Sequence, residues 1–117
     1  MNVQNIVKEI KKENEDERKR IKDKILQAMS EIERLKKDFL EIDPALEKII
    51  LFGSLAEGEI NSIGFDIDIA VKSKKYYQLV GKALQSEFKV DIIDLDTIHK
   101  KIKDNILKTG RIIYEKR

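Results

Sequence analysis

The order of polar and apolar residues between Ile49 and Val71 constrains this chain more than any other stretch. The apolar run Ile49-Ile50-Leu51-Phe52 ends at Gly53-Ser54, and a second apolar run opens on Asp66-Ile67-Asp68. Side chains on a strand alternate between faces, so Asp66 and Asp68 share one face while Phe65, Ile67, Ile69 and Val71 share the other. The second strand therefore needs a core on one side and an environment that tolerates paired carboxylates on the other.

Neighbouring carboxylates repel and raise each other's pKa unless a cation lies between them. Oxygen-only ligands favour a hard ion, and carboxylates completed by water and substrate phosphates are a usual way to hold magnesium. Gly53-Ser54 suits the other half of such a site: glycine lets backbone approach a phosphate, and serine adds a hydroxyl at the start of a short helix expected over residues 54–60. The segment Val90-Asp91-Ile92-Ile93-Asp94 reads as a further strand with Asp91 opposite Val90 and Ile92. Placed beside Asp66 and Asp68, Asp91 becomes a third ligand and a candidate general base. Three carboxylates are enough to hold two metal ions for an in-line displacement.

Each motif alone is common in charged proteins, whereas their attachment to successive strands is not. The set Leu51-Phe52-Gly53-Ser54, Asp66-Ile67-Asp68, Asp91 and the closing Thr109-Gly110-Arg111-Ile112-Ile113-Tyr114-Glu115 resembles the minimal nucleotidyltransferases (MNT) of prokaryotes, within the polymerase beta-like nucleotidyltransferase superfamily. The resemblance covers about residues 40–117. It implies an α/β (α+β) fold in which a small mixed sheet is flanked by helices. It also implies that Gly53 and Ser54 bind the triphosphate of ATP, that Asp66 and Asp68 bind Mg2+, and that Asp91 is the third catalytic carboxylate and metal ligand. Members of that family are typically antitoxin partners of HEPN-domain toxins, which implies transfer of AMP to a hydroxyl, a tyrosine in particular, of such a toxin.

The chain departs from the family pattern in two places. Members commonly carry arginine in a run like Ser-Arg-Ala-Arg-Gly, where this chain has Ser54-Leu55-Ala56-Glu57-Gly58, and Phe65 stands where a small polar residue often precedes the first aspartate. Glu57 brings negative charge toward a polyphosphate. It favours an alternative reading, an inactive nucleotidyltransferase-fold module that neutralises or scaffolds a helical partner. The complete acid triad favours catalysis.

Residues 1–42 are helical in character and form an extension before a transferase domain expected over 43–117. Ile21, Ile25, Ala28, Met29, Ile32, Leu35 and Phe39 recur at three- and four-residue steps, a stripe able to pack on a sheet. Ahead of it runs Lys11 to Arg20, in which only Asn14 is uncharged, preceded by Val3, Ile6, Val7 and Ile10. Glu15 with Lys19 and Asp16 with Arg20 favour a solvated helix. The expectation is one long helix, or two broken near the charged run, with residues 5–40 spanning about 54 Å if continuous. Such a length exceeds a small catalytic core and leaves room for a partner or for homo-oligomer formation.

Asp43-Pro44 ends that region. A first strand follows over about residues 48–52, then a helix over 74–87 that buries Tyr76, Tyr77, Leu79, Val80, Ala83 and Leu84. A further helix runs from a cap at Asp96 or Thr97 to Lys108, with Gly110 as its stop, and Arg111 to Glu115 forms an edge strand. His99 has no cysteine or second histidine near it in sequence and is assigned to the surface. Lys72 shares a face with Asp68, so its reach toward a phosphate is weighed against simple solvation.

Composition sets outer limits. Charged residues make up 39% of the chain, yet the net charge is only +2, which gives no argument for direct nucleic-acid binding. No run approaches the roughly 18–20 apolar residues of a membrane span, and no signal-peptide pattern opens the chain. The lack of cysteine excludes thiolate metal sites and, with nucleotide use, suggests the cytoplasm.

Overall fold

The computed structural model describes the backbone of residues 3–117 and the side chains from Asn14 onward. The apolar runs become strands β1 (Lys48–Phe52), β2 (Ile67–Lys72), β3 (Val90–Asp94) and β4 (Arg111–Glu115), arranged β3-β2-β1-β4. β1 pairs antiparallel with both β2 and β4, while β2 and β3 run parallel. The sheet is therefore mixed. The parallel pair requires a crossover, supplied by helix α3 (Tyr76–Ala83).

Strand alternation sorts the sheet into two faces. Ile49, Leu51, Ile67, Ile69 and Val71 enter the larger core together with Ala28, Ile32, Leu35 and Phe39 of helix α1 (Val3–Ile42) and with Leu79 and Ala83 of α3. On the opposite face Ile50, Ala70 and Leu95 are buried with Ile106 of helix α4 (Lys100–Thr109). Asp68 belongs to this second face by its alternation with Ile67 and Ile69, beyond the cover given by α4. The expected division of β2 between a core side and a carboxylate side is present.

The long helix is continuous. α1 comprises 40 residues, about 60 Å at 1.5 Å per residue, and the molecule measures 64 × 29 × 23 Å. Its charged run stays helical and no break appears. The stripe packs as expected at Ala28, Ile32, Leu35 and Phe39, but Met29 is exposed. At 100° per residue, Met29 follows Ala28 around the helix and turns away from the sheet. The anticipated ion pairs Glu15–Lys19 and Asp16–Arg20 are not formed. Those present on α1 among the described residues are Arg34 with Glu31 and Asp38, and Lys36 with Glu33. The side chains of Val3, Ile6, Val7 and Ile10 lie outside the described residues.

α1 ends where Asp43, 5% exposed, accepts from the Ala45 N–H at 3.0 Å and from the Ser73 hydroxyl at 2.6 Å. Pro44 forbids a further helical turn through Asp43. The buried Asp43–Ser73 pair ties the end of α1 to the loop after β2.

Two other expectations need correction. α3 is shorter than residues 74–87, and Tyr77 and Leu84 are 87% and 77% exposed. Its inward face is Tyr76, Leu79, Val80 and Ala83. Tyr77 and Leu84 each lie one position further round the helix. α4 starts after His99, whose Nδ1 accepts from the Lys101 N–H at 3.2 Å. Asp94, Asp96 and Thr97 instead form a turn, in which Asp94 accepts from the backbone N–H groups of Asp96 and Thr97.

Candidate active site

The site lies at the edge where β1 ends and β2 and β3 begin. β1 passes directly into α2 (Gly53–Glu57) through Gly53, whose φ of +77° lies in the left-handed region. A Cβ there would overlap the Asp68 carboxylate at Oδ2. Glycine thus permits both the turn and the approach of a carboxylate to main chain. Leu55 and Ala56 hold α2 in the larger core, while Phe52, its N-cap, makes no side-chain cap hydrogen bond. Ser54 follows at the first turn, half-buried. Gly58, also in the left-handed region at φ +74°, closes α2 by donating to the Ser54 carbonyl.

Across the strands, Phe52 pairs with Asp68 and Asp68 pairs with Asp91. Directly opposed residues of neighbouring strands project to the same face. Asp68 and Asp91 therefore stand side by side, and Asp66 enters the same edge one alternation earlier. The Ile67 N–H donates to the Lys89 carbonyl at 2.9 Å, which fixes the start of β3 against the start of β2.

The electrostatics follow from this crowding. Partial burial pushes the Asp68 carboxyl above its ordinary value, and the charges of Asp91 and then Asp66 push it further, with Lys89 opposing them. Asp66 is paired with Lys89, Nζ to Oδ2 3.5 Å. Among the described residues, no three acidic or histidine side chains converge closely enough to form a ready-made metal cage. The acids are gathered at one edge but not drawn onto a common point.

The sequence-derived candidates Gly53, Ser54, Asp66, Asp68 and Asp91 all come to this edge. Lys89 was not among them. Its signal is its position two residues before Asp91, just ahead of β3, where extended chain sends both side chains to one side. Lys72 does not take part: it is at the far end of β2, where its Nζ lies 3.7 Å from Glu47 and 3.8 Å from Asp96. Glu57 is exposed at the end of α2.

The family model described as polymerase beta nucleotidyltransferase matches residues 33–117. The chain belongs to the polymerase beta nucleotidyltransferase family. Solved structures agree with that assignment. A chain from the crystal structure of a toxin-antitoxin with AMP-PNP is 26% identical, with a TM-score of 0.59 over 73% of this chain and 74% of that one. A chain from a mutant form of the toxin-antitoxin MntA-HpeT is 27% identical, with a TM-score of 0.57 over 76% and 73% of the two chains. A complex of tri-AMPylated Shewanella oneidensis HEPN toxin with MNT antitoxin supplies a further match to the nucleotidyltransferase fold, at 24% identity and TM-score 0.54 over 79% and 73%. No curated protein sequence matches this nucleotidyltransferase. Among the described residues, no helix is long and apolar enough to cross a membrane.

Proposed function

We propose that this nucleotidyltransferase moves AMP from ATP to a tyrosine hydroxyl of a HEPN-domain toxin and acts as its antitoxin in the cytoplasm. The observation that carries the reading is the in-register pair Asp68–Asp91 beside the tight Gly53 turn. The similarity to a toxin-antitoxin holding AMP-PNP, a non-hydrolysable ATP analogue, supports both the nucleotide and the class of partner. In this reading residues 43–117 carry the chemistry and 1–42 form an extension.

The donor set suits a hard divalent ion: three carboxylates at one edge, one with its proton affinity raised by partial burial and then by the other two. Asp66, Asp68 and Asp91 would hold it. When bound, magnesium supplies the positive charge that stabilises the phosphoryl group and the departing pyrophosphate. Gly53 and Ser54 present main chain and hydroxyl to the triphosphate at the start of α2. Asp91, exposed on the flank of β2 opposite β1, accepts the phenolic proton as the tyrosine oxygen bonds to the α-phosphorus. The bond from that phosphorus to the bridging oxygen breaks, and pyrophosphate leaves with the electron pair.

A second reading, a catalytically inactive binding module, is favoured by Glu57, which puts a carboxylate on α2 where relatives commonly have arginine. One experiment separates them. The chain is incubated with a candidate HEPN partner, ATP and magnesium, and the partner is examined by mass spectrometry for covalent AMP. Transfer by the wild type, lost in Asp66→Asn and Asp68→Asn, supports the enzyme. Complex formation without transfer supports the binding module.

A further inference from the structure

We infer that Lys89 is the internal counter-cation of the acid cluster and sets how tightly the site takes up a divalent metal. The inference rests on the metal reading of Asp66, Asp68 and Asp91 given above. Lys89 immediately precedes β3, and its carbonyl is bonded to the Ile67 N–H between Asp66 and Asp68. That bond fixes the root of the side chain beside the cluster, and its ammonium lies 3.5 Å from Asp66 Oδ2. The same ammonium offsets the charges of Asp91 and Asp66 on Asp68.

The physical consequence concerns what a metal must displace. Carboxylates held together without a cation repel, and a lysine relieves that repulsion with a single charge. A divalent ion relieves it with two charges, but must first break the Asp66–Lys89 pair and then remain near a positive ammonium. Asp66 is thereby kept from joining Asp68 and Asp91 around a common point, in keeping with the lack of a converged cage among the described residues. Lys89 thus weakens metal binding to the free protein. A triphosphate entering with its own magnesium would offer the displaced ammonium a new anionic partner, so metal and nucleotide are expected to load together. Lys89 touches no reacting atom in this scheme and acts through Asp66 as a positioning residue.

At 71% side-chain exposure, Lys89 tolerates substitution without loss of core contacts. The test is a titration of Mn2+ into the nucleotide-free chain, followed by electron paramagnetic resonance, for wild type, Lys89→Arg, Lys89→Gln, Lys89→Glu and Asp66→Asn. Removing one nearby positive charge should tighten Mn2+ by about three- to tenfold in Lys89→Gln. Lys89→Glu should bind more tightly again, and Lys89→Arg should match wild type. Added monovalent salt should shrink these differences, because the pair is exposed. Equal or weaker binding in both Lys89→Gln and Lys89→Glu, with Asp66→Asn impaired, would overturn the role of Lys89 and leave the metal reading standing. No binding by any variant would overturn the role of Lys89, since removing its ammonium would then not restore uptake, and wild-type affinity in Asp66→Asn would overturn both.

Discussion

Gly53 and Asp68 meet where there is no space for a methyl group between them. The carboxylate of Asp68 occupies the volume that a Cβ on residue 53 would fill, and the φ of +77° at Gly53 is itself unfavourable for any side chain. The end of β1 and the acid of β2 are thus fitted to each other.

Gly53→Ala should cost about 2–4 kcal/mol of stability, combining left-handed strain with overpacking, and should move Asp68. Gly58 is the internal control. It has nearly the same φ, +74°, but a methyl group there would meet nothing within 4 Å, so Gly58→Ala should cost only about 1–2 kcal/mol. Chemical denaturation of both variants checks the difference. Metal-dependent ATP binding should fall in Gly53→Ala and persist in Gly58→Ala.

The raised pKa of Asp68 gives a pH dependence of definite sign. The folded, metal-free protein holds that proton more tightly than the unfolded chain, so Asp68 lowers stability as pH rises from its ordinary value of 3.8 through its raised folded value. Asp68→Asn should flatten the stability profile in that window and leave the metal-free protein more stable above it. Thermal melts across the acid range, in chelator, measure this. Magnesium should then stabilise wild type but not the variant, and an unchanged pH profile in Asp68→Asn would count against the electrostatic account.

Ser73→Ala tests the buried tie behind the site. Asp43 would keep its bond to the Ala45 N–H but lose the Ser73 hydroxyl from its other oxygen. A buried acceptor left unpaired should cost about 1–3 kcal/mol, read from denaturant midpoints. ATP binding at saturation should be unaffected, since Ser73 lies past the far end of β2.

Gly110 offers a contrasting glycine. Its φ of −76° suits any residue, yet a Cβ would stand 2.5 Å from Ile50 Cγ2 and 2.6 Å from the Ile106 carbonyl oxygen. Gly110→Ala should therefore destabilise by about 1–3 kcal/mol through overpacking alone. Hydrogen exchange should report looser pairing of β4 with β1.

Gly53 and Gly110 illustrate what is legible in the sequence. Period-two alternation locates the strands, separates the faces of β2 and brings Asp91 toward Asp68, because strand geometry is local and repeats every second residue. The stop at Gly110 is expected from the usual left-handed helix end, whereas Gly110 is extended, and a side chain is excluded there by Ile106 on its own helix and by Ile50, the latter a contact across the fold that local spacing does not encode. The same distinction explains α3. A stripe tolerant enough to admit both Tyr76 and Tyr77 does not say which one meets the sheet. The structure turns Tyr76 inward, with its hydroxyl donating to the Ile92 carbonyl at 2.6 Å. The pairings Asp43–Ser73 and Lys89–Asp66 are likewise beyond reach: alternation puts Lys89 on the side of Asp91, but the partner in each pair lies in a segment whose separation in sequence carries no periodic signal.

α1 has a consequence that concerns phase. Ala28, Ile32, Leu35 and Phe39 clamp one end of an unbroken helix to the sheet, so its azimuth is set there and transmitted along the rod. Inserting or deleting a single residue between Ile21 and Lys24 would turn everything ahead of it by about 100° and shift it by about 1.5 Å, including the turn of Glu17, Arg18 and Ile21 that lines one hollow with Ile60 and Asn61. The charged stretch therefore works as a ruler and a compass at once: its residue count, as much as its residue types, determines which way the far end of the molecule faces.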